Sequence, residues 1–443
     1  MSKATVAIIS LGCAKNQVDA EAMLKQLHAS GYEIKDDPAH ASCVIINTCG
    51  FLCSAREEAV ESIIEMGKLK PEGTIKAIIV SGCMAQSIGE QILSEMDEVD
   101  GVIGLSGAND ICTYVDRALS GERFCFVEEP EKLNIDMPRI LGNEPYFAYL
   151  KIADGCDNRC AYCMIPEIRG KFRSREMESI VSEAEDLAKK GVKELNVIAQ
   201  DVTRYGEDIY NEKKLPELLT KLCKIEGIRW IRVLYAYPDR ITDELLDVMN
   251  REEKIVKYLD LPLQHCSGEV LKRMNRNGDE KSLRALISRI REKVPGITLR
   301  TTLITGFPGE SKDDFASLAQ FVKDVKFDRL GVFPYSREEG TPAYEMEGQV
   351  SEKVKNRRAE IIMEEQSVIM ERLNEKKINT DVDVLVEGYD SYIKMCFGRT
   401  AADAPEVDGK IFFTPKAKRP AMGDVVTVTV TDVMEYDLMG EQK

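Results

Sequence analysis

Short apolar runs rich in Ile and Val recur near the amino terminus, at residues 5–10, 43–47 and 76–80, and each is followed by a longer stretch of helical periodicity. Continuous runs of this kind predict strands buried on both faces, with helices near 18–29, 54–68 and 86–96. A further strand near 101–104 and a helix from Asn109 extend the pattern into a small doubly wound α/β domain over 1–140. After a connector containing Pro and Glu, strand-like runs at 147–152, 194–198, 230–234, 258–261, 299–304 and 329–333 alternate with amphipathic stretches. That alternation predicts a partial (β/α)6 barrel over 141–345. A charged helical stretch at 351–378 forms a linker over 346–378. The strand-like runs at 382–386, 410–413 and 425–430, separated by Gly and Pro, predict an OB-like β-barrel over 379–443.

Charge narrows the choice of partner. The chain carries 60 Lys and Arg against 76 Asp and Glu, a formal charge of −16. From Ile378 to Lys443 there are seven basic residues against twelve acidic ones. A module that rides a phosphate backbone needs a cationic face, so stable nucleic-acid binding is not expected and a basic protein partner is. No positively charged, apolar leader and no run of about 18 apolar residues appears, which predicts a soluble, cytoplasmic protein without a membrane anchor.

The 13 cysteines carry the candidate chemistry. Cys156, Cys160 and Cys163 form a Cys-x3-Cys-x2-Cys triplet after the first barrel strand, in a loop expected at the barrel mouth. Three thiolates this close can hold three irons of a [4Fe-4S] cube and leave the fourth open to substrate, whereas zinc would want a fourth Cys or His nearby. The next Cys is Cys223, and the only histidines are His28, His40 and His265. Cys13, Cys49 and Cys83 each follow a predicted parallel strand, at the ends where open α/β sheets place their ligands. They imply a second three-Cys cluster, with Cys53 as the rival ligand one helical turn after Cys49. Cys43, Cys53, Cys112 and Cys125 otherwise read as small hydrophobes.

The triplet with Tyr162 before its last Cys resembles the signature of radical S-adenosylmethionine (SAM) enzymes. Leu11-Gly12-Cys13-Ala14-Lys15-Asn16, Asn47-Thr48-Cys49-Gly50-Phe51 and Ser81-Gly82-Cys83-Met84 resemble the amino-terminal cluster domain of the methylthiotransferase family within that superfamily. The last barrel is similar to that family's TRAM domain, and the resemblance covers essentially the whole chain. Ala14 stands where Pro is frequent, and Glu176 follows Arg175 where Pro is frequent; neither is a candidate ligand.

The resemblance implies two [4Fe-4S] clusters, SAM, an external electron donor and a sulfur source. Cys49-Gly50-Phe51, Leu234-Tyr235-Ala236-Tyr237-Pro238, Pro262-Leu263-Gln264-His265 and the segment 435–441 resemble the branch that thiomethylates an aspartate β-carbon in small-subunit ribosomal protein twelve. The alternative is the branch that thiomethylates a tRNA adenosine. It also implies two uses of SAM, one as methyl donor to sulfur and one as radical source.

Position at strand ends suggests Gln200, Asp201, Gln264, Arg300, Thr302 and Gly306 as SAM-pocket residues. The turn 306–310 can also be a plain strand-to-helix turn, and His265 a structural histidine. The basic run 171–175 is either a solvated loop or a contact to substrate or SAM. Asp403, Glu406 and Asp408 are acidic candidates for a face that docks a basic partner, with the docking face itself left open.

Overall fold

The computed structural model describes residues 4–142, 146–416 and 418–443. Its first sheet holds β1 (Thr5–Ser10), β2 (Glu33–Ile34), β3 (Cys43–Thr48), β4 (Ala77–Gly82), β5 (Gly101–Ile103) and β6 (Phe124–Phe126) in the order β2-β1-β3-β4-β5-β6. All its pairings are parallel, and β3 and β4 are buried at every position, which explains their unbroken Ile and Val runs. Helices α1 (Ala14–Ala29), α2 (Cys53–Leu69), α3 (Cys83–Glu95) and α4 (Ile111–Leu119) connect the strands. The two core clusters lie on opposite sheet faces, because side chains alternate: Val6, Cys43 and Ile45 belong to one, Ala7, Val44 and Ile46 to the other. The strand order reverses between β1 and β3, so the loops carrying Cys13 and Cys49 leave the sheet at its switch point.

Compactness groups the chain differently from its order. One unit comprises Met1–Glu144, Lys151–Arg175 and Ser336–Tyr344; the other comprises Pro145–Leu150, Glu176–Tyr335 and Glu345–Lys443. The triplet segment, with its small antiparallel pair β8 (Ala153–Asp154) and β9 (Arg173–Ser174) and helix α5 (Ile165–Arg169), therefore belongs with the amino-terminal sheet.

In the second unit β7 (Phe147–Lys151), β10 (Glu194–Ile198), β11 (Trp230–Val233), β12 (Ile255–Asp260), β13 (Thr298–Thr305) and β14 (Arg329–Pro334) form a sheet in the order β14-β13-β12-β11-β10-β7. This is the expected partial (β/α)6 barrel. Helix α12 (Lys312–Val325) starts with a reciprocal Ser311–Asp314 capping box. Helix α13 (Glu352–Glu375) packs on β13, β14 and α12, burying Ala359, Ile362, Ile369 and Met370.

The terminal strands β15 (Asp381–Asp390), β16 (Met395–Thr400), β17 (Ile411–Thr414), β18 (Val425–Met434) and β19 (Asp437–Gln442) close a five-stranded barrel around Val384, Val386, Phe413, Val428 and Val430. This barrel and the parallel sheet share an ion pair and hydrogen bonds from two phenols. Arg329 donates to Asp403, Tyr149 to Glu406 at 2.7 Å, and Tyr258 to Asp408 at 2.6 Å. Asp403 and the Asp408 side chain are buried, which corrects their candidacy for a docking face. Acidic side chains are seldom buried without partners. Here distant cations and phenols supply those partners, and sequence position does not reveal the pairing.

Candidate functional site

The amino-terminal cysteines lie at three strand ends. Cys13 caps α1, Cys49 directly follows β3, and Cys83 opens α3 directly after β4. Gly12 has φ +101°, and a Cβ there would lie 2.7 Å from Cys49 Cβ, so only glycine lets the first loop approach the second. Asn16, wholly buried, ties the three ends together. Its Nδ2 donates to Leu11 O at 3.2 Å and to Thr48 O at 2.8 Å, and its Oδ1 lies 3.4 Å from Cys83 Sγ.

Desolvation pushes the Cys13 thiol up, but Lys15, Arg169 and the amides of Asn16 and Lys15 outweigh it and hold its pKa low. Burial pushes Cys83 up to about 12; Arg169 opposes that, while Cys13 and Cys49 add to it. Cys49 is also raised, chiefly by burial. These mutual effects require three neighbouring thiols, a donor set that fits a cluster, since bound metal deprotonates a coordinating thiol outright. Cys53 is exposed, its Sγ 3.8 Å from Glu57, whereas Cys43 is buried and Cys112 and Cys125 pack against the two cores. Reading Cys53 as a packed hydrophobe is therefore corrected, because it opens α2 on the solvent side.

Cys156, Cys160 and Cys163 line one cavity of about 380 Å³ together with Glu131, Arg159 and Lys171. The triplet bends tightly, with Cys163 N donating to Cys160 O at 3.0 Å and Arg159 at φ +50°. Among the described residues no three His, Cys, Asp or Glu side chains surround a single metal-ion position. A cube asks for something else, one thiolate at each of three iron corners. From the basic run, Lys171 borders this cavity, while Arg173 donates to the carbonyls of Pro130 and Leu133 and Arg175 to Asp136 and Lys151 O.

The residue that sequence reasoning missed is Arg169. Fully buried, it donates Nη1 to Asp154 at 2.9 Å and Nη2 to Asn16 at 2.5 Å and Asp19 at 2.9 Å. Lys151 joins Asp19 and Asp154 from the other side. Burial pushes Asp154 up, and Arg169 and Lys151 more than reverse this, so its carboxyl stays ionised far below the usual range. The segment Ser336–Tyr344 adds a second tie. Glu338, buried, accepts from Cys53 N at 3.0 Å and Arg56 at 2.6 Å, and Ala343 N donates to Ala161 O at 2.8 Å.

In the second unit, Asp201 caps a 3-10 turn by accepting from Thr203 N at 3.0 Å, and it also meets Arg240 at 3.3 Å. Gln200 lies one residue before it, its Oε1 buried. Gln264 holds φ +70°, rare outside glycine, and its N donates to Thr302 O at 2.8 Å. Its buried Oε1 has no partner among the described residues, nor has either amide atom of wholly buried Asn196. Buried polar atoms are otherwise almost always paired, so these orphans fit a polar ligand. Arg300 is paired with Asp260 at 3.3 Å and approaches Asp408 at 3.8 Å. Lys355 Cγ occupies the space a side chain at Gly306 would need. Glu310 accepts from Gly306 N and Phe307 N and pairs with Arg358 at 2.7 Å, a structural turn. The fold brings Gln264 and Thr302 together, and sets Asp201, Arg300 and Gly306 among protein partners of their own.

Comparison with known proteins adds the family level. A family described as uncharacterized protein family UPF0004 matches residues 5–104, the Radical SAM superfamily residues 150–322, and the TRAM domain residues 378–442. The ribosomal protein uS12 methylthiotransferase RimO of Caldanaerobacter subterraneus subsp. tengcongensis is 47% identical over 437 residues, covering 98% of this chain and 99% of its own. The protein of the same name from Acetivibrio thermocellus is 46% identical over 447 residues, covering 99% and 98%. The solved radical SAM methyltransferase TsrM of Kitasatospora setae superposes with a TM-score of 0.59, covering 77% of each chain. At 15% identity that is a likeness of fold.

Proposed function

Because the chain belongs to the family of ribosomal protein uS12 methylthiotransferases, we propose that it adds a methylthio group to the β-carbon of an aspartate in that small-subunit protein. The observation that carries the two-cluster form of this reading is the pair of three-Cys donor sets, Cys13, Cys49, Cys83 and Cys156, Cys160, Cys163, within one compact unit. When bound, two [4Fe-4S] clusters and SAM supply the methylthio sulfur and the one-electron chemistry that an unactivated C–H bond requires. No side-chain base has a pKa suited to deprotonating that carbon, so no general acid or base is assigned.

The chain's own residues hold and orient. Each triad would hold a cluster through its three thiolates, keeping a site for a non-protein ligand. The orphaned amide atoms of Asn196 and Gln264 would meet the polar groups of SAM, with Gln200 and Thr302 as further members of that pocket. The acidic terminal barrel favours a basic protein over tRNA. An external electron donor and sulfur source complete the reaction, and its setting is the cytoplasm. Among the described residues no helix is long and apolar enough to cross a membrane.

Mass spectrometry of uS12 from cells lacking this chain tests the reading. Loss of a methylthio-sized mass on one aspartate is expected. An unchanged uS12, or loss of the modification from tRNA instead, overturns it in favour of the tRNA branch.

A further inference from the structure

We propose that Arg169 is a positioning residue that fixes the loop of Cys156, Cys160 and Cys163 against the strand ends of Cys13, Cys49 and Cys83, so that sulfur insertion stays coupled to SAM cleavage. The inference rests on the two-cluster reading above. It is carried by an unbroken series of contacts within one compact unit. Cys156 N donates to Gly170 O at 3.1 Å, so the first residue of the triplet is pinned to the residue after Arg169. Nη1 of Arg169 then takes Asp154, which itself accepts from Gly155 N at 2.8 Å at the start of the same loop. Nη2 takes Asn16, whose amide touches the Cys13 loop at Leu11, the Cys49 loop at Thr48, and Cys83 itself. One planar fork therefore holds the triplet loop through Asp154 and the three strand ends through Asn16. A lysine offers the same charge from a point and cannot hold both directions at fixed angles.

Charge gives the second reason. Asp19 and Asp154 are matched by Lys151 and Arg169, and all four are buried. An ion network that merely stabilised the core could sit anywhere; this one occupies the path between two cysteine triads. Misplacement of reacting groups on the order of 1 Å costs up to about a hundredfold in rate, which makes a rigid bridge here consequential.

The test uses Arg169→Lys, which keeps the charge balance, and Asp154→Asn, which keeps the acceptor for Gly155 N and weakens the hold of Arg169 on the triplet loop. Each is read in two ways. In the full enzyme, 5′-deoxyadenosine formed per methylthiolated product should rise about tenfold or more. In a Cys156→Ala, Cys160→Ala, Cys163→Ala background, the electron paramagnetic resonance signal of the remaining reduced cluster should shift in both variants, although Asp154 lies in β8 at the start of the triplet loop. A wild-type product ratio with an unshifted signal in both variants overturns the role of Arg169. If the background variant holds no iron at all, the two-cluster reading fails instead, and this inference falls with it.

Discussion

Arg399 donates Nη2 to Glu194 Oε2 at 2.6 Å across 205 residues of sequence, and both side chains are buried. Glu194 opens β10 of the parallel sheet; Arg399 lies in β16 of the terminal barrel. Arg232 completes the group, donating to the other Glu194 oxygen at 2.9 Å and to Ala401 O at 2.9 Å. The terminal barrel is thus part of the sheet's own electrostatics. Breaking a buried pair by removing one partner costs roughly 3–5 kcal/mol where the survivor is left unpaired; here Glu194 keeps Arg232 while Glu387 loses its Arg399 partner, so the loss falls toward the lower end of that range. Arg399→Met should lower the urea midpoint by a corresponding amount, and deletion after Thr380 should leave protein that fails to fold. A truncated chain that keeps the full unfolding midpoint contradicts this.

Strands β3 and β4 were legible because burial on both faces leaves continuous Ile and Val runs. The candidate cluster cysteines could be named because Cys13, Cys49 and Cys83 each follow such a run, and the structure sets them at those strand ends. Strands β2 and β6 were not, being two and three residues long, too short to show a period. Nor was β16, whose sequence Met395-Cys396-Phe397-Gly398-Arg399-Thr400 mixes a buried Arg into the strand. Arg169 left one usable signal, a cation among Ile165, Ile168 and Gly170 just ahead of the basic run 171–175, and its partners Asn16 and Asp19 lie too far away in sequence to be paired with it. Asp403 and Asp408 misled for the converse reason: acidic residues are usually solvated, and their partners Arg329, Tyr258 and Arg300 are remote.

Iron and product should separate the two triads. Reconstituted without oxygen, the protein should hold about eight irons, and Cys156→Ala, Cys160→Ala, Cys163→Ala about four. Cys53→Ala should change neither load, since that thiol faces Glu57. With Cys13, Cys49 and Cys83 replaced, reduced enzyme should still form 5′-deoxyadenosine while methylthiolated product disappears. Product at the wild-type rate in that variant would remove the amino-terminal triad from the reaction.

His265 should make stability depend on pH. It is wholly buried, accepts from Ser267 N at Nδ1 at 2.9 Å, and lies 3.9 Å from Glu310. Burial holds its pKa down at about 4, Asp314 opposing and Arg358 reinforcing the shift. Between that value and the ordinary one near 6.5, the unfolded chain binds a proton that the folded chain refuses. The contribution is therefore fully present above about pH 6.5 and is lost as pH falls toward 4, on the order of 3 kcal/mol in all. Urea unfolding from pH 7 to pH 5 should show a steeper loss for the wild type than for His265→Gln. Parallel pH curves for the two proteins would refute a buried neutral imidazole.

The last prediction concerns docking of the basic substrate protein. With Asp403 and Asp408 committed to partners on the parallel sheet, the acidic groups left to steer a partner are exposed ones, among them Asp432 and Glu435. These flank Met434 and precede Tyr436, both exposed, where β18 turns into β19, so charge and apolar surface coincide at one tip. Opposite charges accelerate encounter over a Debye length that shrinks to about 8 Å at physiological ionic strength. Asp432→Lys with Glu435→Lys should slow association with uS12 and flatten its salt dependence, leaving the unfolding midpoint and SAM cleavage unchanged. Asp403→Lys and Asp408→Lys should instead lower the unfolding midpoint, because each places a cation beside Arg329 or Arg300. Stopped-flow association at several salt concentrations, paired with denaturation curves, separates the two classes. If reversal at the exposed pair leaves both rate and salt slope untouched, the β18–β19 tip is not where uS12 is steered.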